Sequence, residues 1–286
     1  MRLGILASGN LGCSVLKYLR DKYDVVFVMT DKNSLSIINL CEEYNFPYYS
    51  GNPRKGRSKE FIQGKKIDVL VSVNYLFIIE EDLIKLPEKL AFNIHGSLLP
   101  KYRGRTPHVW AIINNEKVTG ITAHIIDSGC DTGDIIEQIE VEIDVNDTGA
   151  TILKKYEKLY IPLIDSVLLK VKDNKLQFIS QDTEKASFFG KRNPEDGKIN
   201  WEWQKERIWN WVRAQAHPYP GAFAYYHTEK VIIDEICFVD HTFNYEMPNG
   251  LILCSEPLKV KTPNGVIEIK KIRNQQKNFI VGDLLN

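Results

Sequence analysis

Four near-continuous apolar runs constrain this chain more than anything else in it: residues 3–7, 23–29, 67–73 and 90–94. A strand with one wet face alternates polar and apolar residues, whereas a strand buried on both faces has no reason to. Helical patterns follow the first two runs, one reaching Leu19 and one over residues 34–44. Buried runs separated by helices indicate a mostly parallel sheet covered on both sides. This is the doubly wound, Rossmann-like α/β class, in which ligands bind beyond the carboxyl ends of the strands.

The texture changes along the chain. Residues 135–143 alternate as an exposed strand would, and residues 151–172 carry a helical period through Leu153, Tyr156, Leu159, Leu163 and Leu168. Residues 180–200 are polar and hold Gly190, Pro194 and Gly197, so they read as a junction between domains. Residues 201–212 contain four tryptophans and read as a short strand followed by an amphipathic helix. Short β runs follow at 222–226, 231–238, 251–254, 258–261 and 266–270, with Pro-Asn-Gly at 248–250 and 263–265 marking hairpin-like turns. The expected division is therefore a Rossmann-like domain over residues 1–190 and a small OB-like β domain over 191–286.

Composition removes several classes of function. Lys+Arg and Asp+Glu both number 37, so no global basic field draws in nucleic acid. No apolar run approaches the roughly 20 residues needed to cross a bilayer. The apolar N-terminal stretch is also too short for a signal peptide. The five cysteines are scattered without a Cys-x-x-Cys pair, so no zinc site, other metal or disulfide framework is expected. Reduced thiols in a cytoplasmic protein suit that pattern. Gly9 to Gly12 is only Gly-x-x-Gly, a weak dinucleotide signal. It reads better as a tight strand-to-helix turn, with Gly9 and Asn10 able to line a substrate cleft.

Asn93 and His95 close the fourth run, and residues i and i+2 of a strand point to the same side. An amide donor and an imidazole thus face one reacting atom. Asp131, in Gly129-Cys130-Asp131-Thr132-Gly133-Asp134, could orient and charge that imidazole. Amide, imidazole and carboxylate together suit acyl transfer. Cys130 is open to a nucleophilic or a packing role. His124, on a strand expected over 121–126, is open to a site contact or to the core.

The run Asn93-Ile-His-Gly-Ser-Leu-Leu-Pro-Lys-Tyr-Arg-Gly-Arg105, then Gly120-Ile-Thr-Ala-His124, then Asp131-Thr-Gly133 resembles the formyltransferases that use 10-formyltetrahydrofolate. Residues 192–201, 212–214 and 218–223 resemble the C-terminal domain of several members. The resemblance implies Asn93 as oxyanion donor, His95 as proton shuttle and Asp131 as its charge partner. It implies folate contacts from the loop Asn74-Tyr75-Leu76, and places Arg105, His124 and Asp127 near the same cosubstrate. Lys191, Arg213 and Tyr219 are then candidates to meet a diphosphate or nucleobase.

Among family members, the purine-pathway enzyme is usually a single domain. A tRNA enzyme needs clustered cations, yet residues 201–286 hold ten Lys+Arg and ten Asp+Glu. The best expectation is a nucleotide-sugar N-formyltransferase serving a bacterial surface glycan such as lipopolysaccharide O-antigen. It would act on a dTDP-linked amino sugar, with dTDP-4-amino-4,6-dideoxyglucose the leading choice. The alternatives are a dTDP-3-amino or UDP-4-amino sugar, methionyl-tRNA, or water as acceptor in a hydrolase. A non-catalytic binding protein of the same fold is the rival of another class. The resemblance further implies a homodimer, with neither nucleic acid nor membrane as partner.

Overall fold

A computed structural model of the chain describes residues 1–273 and 278–286. They divide into two compact units. The first comprises Met1–Gly104, Gly120–Val141 and Lys155–Phe189. The second comprises Arg105–Thr119, Glu142–Lys154 and Gly190–Asn286. A single cut after residue 190 would leave two segments of the second unit, 105–119 and 142–154, with the first.

In order, the first half of the chain forms β1 (Arg2–Ala7), α1 (Gly9–Arg20), β2 (Asp24–Thr30), α2 (Leu35–Glu43), β3 (Tyr48–Ser50), α3 (Lys59–Ile62), β4 (Ile67–Val73), α4 (Glu81–Ile84) and β5 (Pro87–His95). Then come β6 (Arg103–Gly104), α5 (Pro107–Ile113), β7 (Val118–Ile125), β8 (Ile135–Glu142), α6 (Gly149–Lys172) and β9 (Phe188–Phe189). Seven strands make one sheet in the order β3-β2-β1-β4-β5-β7-β8. The pairs from β3 to β5 are parallel, and β5 meets β7 antiparallel. The four apolar runs are the centre of this sheet. Leu6, Phe27, Met29, Ile67, Leu70 and Ala91 form one cluster of its core. Each of the larger side chains among them, taken from water, contributes roughly 1.5–3 kcal/mol.

That arrangement fixes where chemistry can occur. At the carboxyl ends of the parallel strands lie Ser8 after β1, Asp31 after β2, Asn74 after β4 and His95 closing β5. Asn74 adopts φ +52 and donates from Nδ2 to the Ser8 carbonyl at 3.1 Å, joining two of these ends.

The second unit carries α7 (Lys205–Gln215) and strands β10 (Ala222–Tyr226), β11 (Glu229–Val239), β12 (Ile252–Ser255), β13 (Leu258–Thr262) and β14 (Gly265–Ile272). They form an antiparallel sheet in the order β10-β11-β14-β13-β12. Residues 282–286 pair on both outer strands. Gly282 N–H and Asp283 C=O bond Ile252, while Asn286 exchanges two backbone bonds with Tyr225. The sheet thereby curls around Trp201, Ile208, Trp211, Val231, Ile233, Val260 and Ile267.

Two local expectations differ. Trp201 and Trp203 lie in a turn, where Asn200 accepts the amides of Glu202 and Trp203 and competes with any strand ladder. Pro263-Asn264-Gly265 does link paired strands, but Pro248-Asn249-Gly250 does not, since β11 pairs with β14 and β12 with β13. Asn249 instead helps satisfy a buried lysine. The Lys261 ammonium donates to the carbonyls of Tyr245 and Met247 and to Asn249 Oδ1, which offsets the desolvation of its charge.

Candidate active site

β5 and β7 build the centre of the site. Their antiparallel register sets Asn93 opposite His124. Asn93 Nδ2 lies 3.1 Å from His124 Nε2, and His124 Nδ1 lies 2.8 Å from the Ile125 carbonyl. A carbonyl can only accept, so Nδ1 bears the hydrogen and Nε2 accepts from the Asn93 amide. Asn93 keeps its second amide hydrogen for another acceptor. Burial pushes His124 down to about 4, despite the opposing attraction of Asp131. It is therefore a neutral, buried site contact, which combines the two roles left open for it.

His95 is buried, with Nε2 2.8 Å from the Tyr102 carbonyl, so Nε2 also carries hydrogen. Its Nδ1 faces Asp131 Oδ2 at 3.5 Å, and Asp131 Oδ1 lies 3.6 Å from His124 Nε2. Tyr102 rather than Asp131 fixes the His95 tautomer, and Nδ1 is left as the ring nitrogen with a lone pair to accept a proton. Both separations from Asp131 exceed ordinary hydrogen-bond length. The corner is thus open to a proton or an incoming donor between imidazole and carboxylate.

Asp131 stands at φ +55, in the left-handed region. Burial works to raise its carboxyl. The charge of His95, the Gly104 N–H at 2.9 Å, His124 and the Cys130 thiol outweigh burial and hold it below the ordinary carboxylate range. Gly133, two residues on, must be glycine for a packing reason: a Cβ there would fall 2.0 Å from the Ile125 carbonyl oxygen. Asp127 is spent inside the same turn, where its carboxylate accepts from Thr132 Oγ1 at 2.7 and 2.8 Å and from Gly129 N–H at 3.1 Å. Cys130 is exposed, with Sγ 3.6 Å from Asp131 Oδ2.

The remaining expected residues separate by place. Asn74 begins the loop after β4. Tyr75 buries a hydroxyl that has no hydrogen-bond partner and packs edge-on against Phe77, while Leu76 and Ile78 are exposed. A flat apolar ring suits such a loop. Gly9 opens α1 and donates its N–H to Ser34 Oγ at 2.8 Å, and Asn10 is exposed beside it.

In the second unit, Arg105, Lys191 and Tyr219 line one cavity of about 240 Å³, together with Arg192, Asn193 and Gln215. Tyr219 is fixed by a 2.6 Å bond to His108 Nε2. Arg213 is not in that lining. It is buried and gives its guanidinium to the carbonyls of Asp144, Val145 and Asp147 and to Asn210 Oδ1. Its surroundings are those of a structural clasp.

Two residues placed at these features gave no sign of it in the sequence. Arg192 holds its guanidinium between Trp110 and Trp211, 5.3 and 4.6 Å from the ring centroids, and donates to Gln215. Its Nε is buried without a partner. The motif containing it was visible, but its lodging between two indoles was not. Gln181, taken for part of a linker, bonds the backbone of the Asp131 turn. A polar stretch gives no signal for that.

Residues 6–167 match the formyl transferase family, and residues 191–285 match the formyl transferase C-terminal domain. The bifunctional polymyxin resistance protein ArnA of Wigglesworthia glossinidia brevipalpis is 35% identical over 237 residues, 82% of this chain and 35% of that protein. The chain thus spans about a third of that relative's length. Among solved structures, WlaRD, a sugar 3N-formyl transferase, superposes with a TM-score of 0.74 at 22% identity, covering 96% of this chain and 99% of that one. An N-formyltransferase from Helicobacter canadensis gives 0.76 at 23% identity, covering 95% and 99%. These two likenesses show a shared fold.

Proposed function

Because the chain belongs to the formyl transferase family, we propose that it moves a formyl group from 10-formyltetrahydrofolate to the amine of a dTDP-linked amino sugar. The observation that carries this reading is the convergence of the Asn93 amide, the His95 Nδ1 edge and both Asp131 oxygens on one corner. As the amine attacks the formyl carbon, the carbonyl oxygen gains negative charge, and the free hydrogen of the Asn93 amide donates to it. Loss of one such donor costs about 2.7–4 kcal/mol in the transition state. His95 Nδ1 takes the proton that the amine sheds, with the Asp131 carboxylate stabilising the imidazolium. The same proton then goes to the departing folate nitrogen as the carbon–nitrogen bond breaks. One formyl group and one proton change owners, and no redox partner is required.

The cosubstrate class is supported by relatives: the WlaRD structure was solved in the presence of dTDP and 5-N-formyl-THF, and the H. canadensis structure is a complex with folinic acid and dTDP-3-aminofucose. The cation-lined cavity of the second unit, with Arg105, Lys191 and Arg192, suits a substrate bearing phosphate. Within that class our choice is dTDP-4-amino-4,6-dideoxyglucose, serving a bacterial surface glycan, with the protein acting as a cytoplasmic homodimer. A dTDP-3-amino sugar is the second reading, favoured by the 3N activity named for WlaRD and by the dTDP-3-aminofucose named with the H. canadensis structure.

The test is an endpoint mass measurement with 10-formyltetrahydrofolate and a panel of dTDP- and UDP-amino sugars. A gain of one formyl group on a dTDP sugar bears the proposal out and names the amine. Steady release of tetrahydrofolate without a sugar product would replace it with hydrolysis.

A further inference from the structure

Residues 180–200 have the composition of connecting chain, yet the part of this stretch within the first unit is wired into the site. The segment before it is pinned beside β8 by two backbone bonds between Ile179 and Ile135, at 2.8 and 2.9 Å. Further on, Ser187 accepts from Tyr102 N–H through Oγ and from Arg103 N–H through its carbonyl, both at 2.8 Å. Phe189 stacks on Tyr102 with ring centroids 5.2 Å apart, and β9 pairs with β6. Tyr102 supplies the carbonyl that binds His95, and Gly104 supplies the amide that binds Asp131. One short strap thus holds both backbone groups on which the catalytic pair depends.

Gln181 is its central member. Its Oε1 accepts from Arg103 Nε at 3.2 Å and Nη2 at 2.7 Å. Its Nε2 donates to the carbonyls of Asp131 at 3.0 Å and Gly133 at 2.7 Å. A guanidinium only donates and a carbonyl only accepts, so one orientation of the amide satisfies both sides. All four hydrogen-bonding positions of the amide are filled. Neither a carboxylate nor a hydrocarbon of the same length reproduces that. Asp131 meanwhile holds a left-handed backbone that most residues avoid, and such geometry persists only where its surroundings over-determine it.

We propose that Gln181 is a positioning residue for formyl transfer, bridging Arg103 to the Asp131 turn so that Asp131 stays on Gly104 N–H and in front of His95 Nδ1. The inference rests on the catalytic reading of that corner. Small misplacements there are costly, since a displacement of about 1 Å can lower a rate on the order of a hundredfold.

Two variants test it. Gln181→Met removes the donors and the acceptor at constant length. Gln181→Glu keeps the acceptor for Arg103 and removes the donors to the turn. Turnover should fall by about tenfold to a hundredfold in both, in kcat and with KM for the folate unchanged, when each variant is assayed well below its own melting temperature. If Gln181 serves only to accept hydrogen bonds from Arg103, Gln181→Glu should match the unaltered protein or exceed it, and the proposal fails.

A second readout needs no turnover. In the unaltered protein the Gly104 amide proton, followed by NMR, should titrate with Asp131. In Gln181→Met the midpoint should move up as the loosened turn weakens the bond from Gly104 N–H to the carboxyl. An unmoved midpoint overturns the proposal. Absence of formyl transfer by the unaltered protein would strike the functional reading instead, and the amide titration would still decide the role of Gln181.

Discussion

The corner around Asp131 and the cavity beside Arg192 both present charged side chains, yet they are built on opposite plans. The first gathers one carboxylate, two imidazoles and an amide, held mainly by backbone groups: Tyr102 C=O, Gly104 N–H and Ile125 C=O. The second gathers three cationic side chains with Tyr219 and flanking indoles, and leaves one guanidinium N–H without a partner. A corner of this kind moves protons and steadies a developing charge. A cavity of the other kind holds a charge that is already there. Substitutions in the first should therefore act on kcat, and in the second on KM.

The widest separation should come from His95→Ala and Asn93→Ala. Steady-state kinetics should show kcat lowered on the order of 10²–10⁴-fold for His95 and 10²–10³-fold for Asn93. Folate binding by calorimetry should persist in both. Near-normal turnover in either would remove the distinction between the two regions.

Asp131→Asn comes next, with a loss of roughly a hundredfold and a changed pH profile. The folded-state value of Asp131 lies below the ordinary one. Its contribution is thus present at neutral pH and disappears only as pH falls through that depressed value. The part of the acidic fall in kcat/KM that lies at the depressed Asp131 value should vanish in the variant, and its survival there would assign it to another group.

His124 sharpens the comparison through stability. Its folded value is about 4 against 6.5, so between these pH values the unfolded chain binds a proton that the folded chain refuses. Stability should fall by about 3 kcal/mol as pH drops across that window. In His124→Gln this part of the loss should be absent when urea unfolding is compared at both ends.

Arg192→Met should show the smallest effect. KM for the anionic substrate should rise about tenfold, near 1.4 kcal/mol, with kcat unchanged. A fall in kcat alone would merge cavity and corner into one function.

How much of this was legible beforehand follows from where the information resides. The buried strands announce themselves because a doubly covered sheet needs apolar residues at nearly every position. Asn93 and His95 were readable because a strand sets alternate residues on one face, and Asp131 because a resemblance joined it to them. The Tyr102 and Gly104 contributions were not readable, since a backbone carbonyl or amide has no side-chain signature. Gln181 was hidden for a related reason: its neighbours Ser180 and Asp182 are exposed and polar, as in any loop. Arg213 misled in the other direction, because a lone arginine looks the same whether it awaits a phosphate or clasps three carbonyls. Segments 105–119 and 142–154 group with the second unit through contacts that composition does not announce.

The left-handed backbone at Asp131 reaches into what this position can become. Glycine, asparagine and aspartate tolerate that conformation best, and of the three only aspartate carries a charge. Under random substitution, most single-residue replacements would disturb the turn before they could vary its electrostatics. Asparagine alone offers a nearly isosteric route that removes the charge and spares the main chain. The set of accessible sequences at this site is therefore narrow on conformational grounds, ahead of any selection for catalysis.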